Sequence, residues 1–109
     1  MLQHNIVYMD SALQDYFGIL RYASQFYPST PKKFKDALRK KLDLVRFNPN
    51  CCPRVEEFPQ FRKLHVNQYL AFYTVDEENH CVVVHRILHG ARDIQNLLEE
   101  YITGEQGDI

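Results

Sequence analysis

The stretch HRILHGARD, residues 85–93, sets His85, Arg86, His89, Arg92 and Asp93 within nine positions, directly after the apolar run CVVV. Imidazoles exchange protons near neutral pH, and guanidinium forks bind carboxylates and phosphates through two parallel hydrogen bonds. A second cationic stretch, FRKLHV, carries Arg62, Lys63 and His65. If Val66 pairs with Tyr69 across a two-residue turn, Leu64 faces Ala71 and Arg62 faces Tyr73. If Val75 then pairs with His80, Tyr73 meets Val82 and Tyr69 meets Arg86. Arg62, Tyr69, Tyr73 and Arg86 would share one face as a cationic, aromatic-lined patch suited to an anionic ligand or an acidic peptide. The same pattern also describes two arginines lying over tyrosine rings at the rim of a core. Lys63, His65 and His85 would point the other way, the two histidines in structural roles. A one-residue slip or bulge reverses the assignment. There is no Gly-rich phosphate loop, Gly-x-Ser-x-Gly elbow or His-Glu-x-x-His motif, and no Cys/His pair is assignable as nucleophile and base. His65, His80, His85 and His89 with Cys81 show no recognised ligand spacing, so neither a metal nor a cofactor is expected.

The elements that must position these residues follow from periodicity. Asn5 to Met9 reads as a strand. A helix should start at once, with Ser11 and Gln14 as a capping box and Asp10 at the positive end of the dipole. Its stripe would be Leu13, Tyr16, Phe17, Leu20, Ala23 and Tyr27, ending near Pro28. A second helix begins at Thr30-Pro31, buries Phe34, Ala37, Leu38, Leu42 and Val45, and stops at Asn48-Pro49. The segment PNCCPRVEEFPQ has three prolines and no period, so it is a loop. From Phe61 the period is two. FRKLHV, YLAFYTV and CVVVHRIL form three antiparallel strands with turns at Asn67-Gln68 and at Asp76 to Asn79. Gly90 breaks the last strand, and Asp93 caps a final helix with Ile94, Leu97, Leu98 and Tyr101, before a frayed tail at 103–109. The order βααβββα predicts an α+β fold, an antiparallel sheet of β1 and a β2-β3-β4 meander with an N-terminal αα-hairpin packed on one face and a short C-terminal helix.

At 109 residues the chain is the size of one domain, residues 1–109. A net charge of -1 argues against non-specific nucleic-acid binding by the whole molecule. The one strong basic run, KKFKDALRKK at 32–41, has six positive charges and one negative, and reads as a solvated helix face or a contact for an anionic partner. Three cysteines, two of them adjacent at Cys51-Cys52, lack Cys-x-x-Cys spacing and read as plain thiols. No window approaches the roughly 20 apolar residues of a membrane span, so a cytoplasmic protein is expected.

The order βααβββα, IVYMDSALQDYFGILRYAS near the start and FRKLHVNQYLAFYTVDEENHCVVVHRILHGARDI near the end resemble the RelE/ParE superfamily of bacterial type II toxins, over about residues 4 to 98. The most specific pieces are Arg62-x-Leu64, the arm from Tyr69 to Tyr73, and Arg86-Ile-Leu-His89-Gly90-x-Arg92-Asp93. The resemblance implies a small toxin neutralised by a cognate antitoxin that wraps its surface, and it leaves the target open. ParE-like members poison DNA gyrase without hydrolytic chemistry, whereas others cleave messenger RNA on the ribosome. Ribosome-dependent nucleases typically carry an arginine where this chain has Leu70, which favours the gyrase reading. The nuclease reading makes the protein a metal-independent endoribonuclease drawing on Arg62, His65, Arg86, His89 and Arg92 for base, acid and phosphate clamp. Arg62, Lys63, Tyr69, Tyr73, Arg86 and Arg92 are the expected contacts for target or antitoxin. A third reading is an inactive homologue that only binds antitoxin.

Overall fold

A computed structural model describes residues 3–104. The elements run β1 (Asn5–Tyr8), α1 (Asp10–Ala23), α2 (Thr30–Phe47), β2 (Arg62–Val66), β3 (Tyr69–Asp76), β4 (Cys81–His89) and α3 (Ile94–Thr103), the order expected from periodicity. Strand order in the sheet is β1-β4-β3-β2. The meander is antiparallel, but β1 runs parallel to β4, so the sheet is mixed rather than wholly antiparallel. Short turns force the meander strands to alternate direction. No such turn joins β1 to β4, and the intervening helices return the chain in the parallel sense.

The helices do not share one face. The larger core lies under α1 and α2, where Ala12, Ile19, Phe34, Leu38, Leu42 and Val45 meet Leu64, Val66, Ala71, Tyr73, Val82, Val84 and Ile87. The second core lies on the opposite face, where Phe72 and Leu88 meet Leu98 of α3, Val55 and Phe61. Alternation along β3 explains both: Ala71 and Tyr73 point to the helical hairpin, Leu70 and Phe72 to α3. Each large side chain so buried contributes roughly 1.5–3 kcal/mol.

The α2 stripe is as its period predicts, with Phe34, Leu38, Leu42 and Val45 buried. On α1 the stripe is rotated. Ala12, Ile19 and Ala23 are buried with Tyr16 and Leu20 beside them, whereas Phe17 and Tyr27 are 56% and 74% exposed. Small alanines let the helix approach the sheet closely, and the larger aromatics one step around the wheel face outward. The helix also ends at Ala23, before Pro28 is reached. The capping box does not form: Met9 is the N-cap, and the Ser11 hydroxyl donates to the His85 carbonyl at 2.6 Å. Ser29 rather than Thr30 precedes α2, with Pro31 in its first turn. Asp93 does cap α3, accepting from the Asn96 N–H at 3.3 Å. Thr103 belongs to α3 and Gly104, at φ 74°, is its left-handed cap; the remaining tail residues lie outside those described.

The loop at 49–60 is tied to the sheet. Val55 N–H donates to the Phe61 carbonyl and Lys63 N–H to that of Pro53, so Val55 can enter the second core. Among the described residues no helix is long and apolar enough to cross a membrane.

Candidate functional site

The β2–β3 register is the one expected, with Arg62 opposite Tyr73, Leu64 opposite Ala71 and Val66 opposite Tyr69. The turn places Asn67 at φ 55°, a conformation that asparagine tolerates better than most residues. The β3–β4 register differs. Asp76 pairs with Cys81, Val75 with Val82 and Tyr73 with Val84; a bulge then sets Phe72 against Arg86 and Tyr69 against His89. The turn has the expected four residues but is shifted by one, to 77–80, and takes in His80, held at φ 56°. The Asp76 carboxylate stabilises it by accepting from the Asn79 N–H and side-chain amide. The bulge inserts His85 as an extra residue and re-aims everything after it.

The expected patch of Arg62, Tyr69, Tyr73 and Arg86 does not form: the shifts move Arg86, and burial and the loop take Tyr73 and Arg62. Tyr73 is fully buried, and its hydroxyl donates to the Pro49 carbonyl at 2.7 Å, so it offers a partner no surface. Burial pushes its phenol far above the ordinary range, keeping it a neutral donor. Arg62 lies over the loop, donating to the carbonyls of Cys52 at 2.7 Å and Asn50 at 3.4 Å. Arg86 is 9% exposed and forms a fork with Asp15 of α1, Nε to Oδ2 at 2.7 Å and Nη2 to Oδ1 at 3.0 Å. The same carboxylate accepts from the Ile87 N–H at 2.9 Å. Sequence reasoning missed Asp15, whose partner lies 71 residues away.

Lys63 and His65 pair with Phe72 and Leu70 on the α3 side of the sheet. His85 is also on that side. Its Nδ1 is 2.7 Å from the Tyr101 hydroxyl and its Nε2 2.9 Å from Thr74 Oγ1, so one ring nitrogen donates and the other accepts in the neutral form. Burial lowers its pKa below the ordinary histidine value. The unfolded chain, with a histidine near pH 6.5, therefore binds a proton that the folded chain resists. The stability that the neutral ring contributes is present above about pH 6.5 and is lost as pH falls through the folded value. The stability gap between the natural protein and His85→Gln, read from urea midpoints, should narrow from pH 7.5 to pH 5. A constant gap would remove His85 from the acid response.

What remains open is a groove of about 750 Å³ between α1 and the tip of the β2–β3 hairpin. Gln14, Gly18, Ile19, Tyr22 and Phe26 line one wall; Gln68, Tyr69, His89 and Arg92 line the other. Tyr22 and Phe26 are 57% and 58% exposed. Tyr69 is fixed between Phe34 and His89, with ring centroids 5.2 and 5.3 Å away, and burial raises its phenol pKa. The Ala91 N–H donates to His89 Nδ1 at 3.1 Å, which leaves the proton of the neutral ring on Nε2. The groove continues past Tyr22 and Phe26 to Lys33. An apolar floor thus lies between cations at its ends, Arg92 and Lys33. Of the anticipated site residues, Tyr69, His89 and Arg92 come together here; Arg62, Lys63, His65, Tyr73 and Arg86 do not join them.

A family model described as the ParE toxin of type II toxin-antitoxin system, parDE, matches residues 6–94. No curated protein matches the sequence. The fold is similar to a solved chain of the chromosomal ParDE system of P. aeruginosa, with TM-score 0.67 and 16% identity over 80% of this chain and 96% of that one. It is also similar to a mutant of the E. coli toxin RelE in the free state, TM-score 0.66 and 16% identity over 94% and 97% of the two chains. A mutant of E. coli RelE in complex with an antitoxin RelB peptide aligns with TM-score 0.60 and 21% identity over 90% and 94%.

Proposed function

Because the chain belongs to the ParE toxin family of type II toxin-antitoxin systems, we propose that it arrests growth by poisoning DNA gyrase and is neutralised by a cognate antitoxin seated in the α1–hairpin groove. The observation that carries the gyrase reading is the dispersal of the groups a nuclease would need. Cleavage of RNA through its 2'-hydroxyl requires a base, an acid and a cation around one phosphate. Here Arg62 is spent on Cys52 and Asn50, Arg86 on Asp15, and His65 stands on the other face of the sheet from Tyr69 and His89. Leu70, in the position where a nuclease arginine would help, pairs with Leu88 and packs towards Ile94 in the second core.

The groove supports the antitoxin half of the reading. Its apolar floor with cationic ends is complementary to an acidic amphipathic segment, whose apolar side chains would bury Tyr22, Phe26 and Tyr69. The P. aeruginosa and E. coli relatives come from structures of toxin-antitoxin systems.

The purified protein should stabilise gyrase-cleaved DNA when incubated with gyrase and supercoiled plasmid, and should leave messenger RNA intact on translating ribosomes. Codon-periodic mRNA cleavage would overturn the gyrase assignment. That outcome would turn attention to His89 and Arg92, which share the groove wall with Tyr69. Binding of antitoxin without effect on gyrase, ribosomes or growth would identify an inactive homologue.

A further inference from the structure

At the sheet edge remote from the groove, three side chains that no part of the toxin reading uses converge. His4 immediately precedes β1, while Glu77 and His80 belong to the β3–β4 turn, and one ligand atom from each lies within 4.8 Å of the others. We propose that His4, Glu77 and His80 form a binding site for a borderline divalent cation of the Zn²⁺ type, fastening the edge strand β1 to the β3–β4 turn.

The donor set suits that ion. Two imidazoles and one carboxylate are ordinary zinc ligands, and three protein ligands leave a fourth position for water. At metal–ligand distances of about 2.0–2.2 Å, tetrahedral ligand atoms stand roughly 3.3 Å apart. The His80 ligand atom needs to close on the other two by at most about 1.5 Å, while His4 Nε2 and Glu77 Oε1, now 2.7 Å apart across a shared proton, separate slightly as the ion replaces that proton. The two imidazole rings are stacked at 3.8 Å with 26° between their planes, and must open to converge on one ion.

The backbone holds the ligands ready. His4 is 8% exposed, and its peptide is clamped on both sides, its N–H donating to the Arg46 carbonyl and its carbonyl accepting from Arg46 Nε, each at 3.0 Å. Asn5 N–H donates to the His80 carbonyl at 3.0 Å, locking the two histidine backbones together. His80 itself adopts the left-handed conformation that residues other than glycine avoid. That conformation aims the ring at His4 instead of continuing β4. The neighbouring Arg46 guanidinium is turned towards the His4 carbonyl and Asp43. The exposed Glu77 carboxylate, already hydrogen-bonded to His4, can turn onto an ion, with buried His4 and half-buried His80 as anchors.

Calorimetric titration of the full chain with ZnCl₂ tests the site, in the natural sequence and with Cys51→Ser and Cys52→Ser to remove the adjacent thiols. Saturable 1:1 binding at micromolar concentration is expected in both, with a zinc-dependent rise in thermal midpoint that excess chelator reverses. Glu77→Gln keeps the hydrogen bond to His4, and His80→Asn keeps a residue at ease in the left-handed region. Each should weaken binding by about 30-fold or more and abolish the thermal rise. Their midpoints without metal should stay near that of the natural chain. Absence of saturable binding up to millimolar zinc overturns the proposal, as does undiminished binding in either variant. Loss of binding in the cysteine variant would do the same, because the ion would then belong to the thiols.

Discussion

Replacing Asp15 by alanine is expected to destabilise the fold by about 3–5 kcal/mol, a loss of roughly 10–20 °C in thermal midpoint for a domain of this size. The Asp15 carboxylate satisfies Arg86 Nε, Arg86 Nη2 and the Ile87 N–H, and the two side chains are only 16% and 11% exposed. Its removal leaves a buried guanidinium and a backbone donor without their acceptor. Arg86→Ala should cost a similar amount by stranding the carboxylate. The double change Asp15→Leu with Arg86→Met removes both charges and fills the space, so its cost should fall well below the sum of the single changes. Urea unfolding of the natural protein, the two alanine variants and the double variant measures these costs. The same proteins decide what Arg86 does. If it only holds α1 to β4, the double variant arrests growth as the natural toxin does; if it touches the target, the double variant folds and is harmless.

Arg86 also shows where sequence reasoning reached its limit. Much that local chemistry sets was legible: the element order, the α2 stripe, the two-residue turn, the Asp93 cap and the whole β2–β3 register, though not the caps of α1 and α2, where Met9 and Ser29 stand in place of the expected Ser11 box and Thr30. These depend on neighbours within a few positions. The β3–β4 register depends on a turn that absorbs His80 and on a bulge at His85, neither of which alters hydrophobic alternation enough to be seen. The displaced turn shifts the pairing by two residues and the bulge by one more, so Arg86 lies opposite Phe72 and His89 takes the place expected of Arg86 opposite Tyr69. The α1 stripe failed for a related reason. Leu13, Phe17 and Tyr27 are apolar but exposed, while Ala12, Ile19 and Ala23 take the buried side, a rotation that apolar spacing alone does not reveal.

The candidate site was half visible for the same physical reason. His89 and Arg92 drew attention by their type, and the structure puts them on the groove with Tyr69. The other wall is built by Gly18, Tyr22 and Phe26, whose meaning appears only once α1 is laid against the hairpin. The His4, Glu77 and His80 cluster was invisible for a stronger reason. His4 lies 73 residues before Glu77, and only the parallel β1–β4 pairing, which the sequence did not disclose, closes that distance.

Gly18 offers the sharpest test of the groove, because it separates folding from binding. A Cβ built at Gly18 meets nothing within 4 Å, and the residue sits in the interior of α1 on the groove wall. Gly18→Ala should therefore stabilise the protein by about 0.5–1 kcal/mol, since alanine gives up less backbone freedom in a helix than glycine. Gly18→Trp should fold at least as well as the natural chain and place an indole across the floor between Tyr22 and Tyr69. An antitoxin segment that needs this floor then loses its central apolar contacts, with affinity falling by about 30-fold or more, equivalent to about 2 kcal/mol. In cells, Gly18→Trp should still arrest growth but no longer be rescued by coexpressed antitoxin, while Gly18→Ala remains rescued. If Gly18→Trp is instead harmless and still binds antitoxin tightly, the groove belongs to the target and the antitoxin covers another surface. Because the substitution adds bulk where there is open space and removes no contact, either result reads the groove's occupant and not a damaged fold.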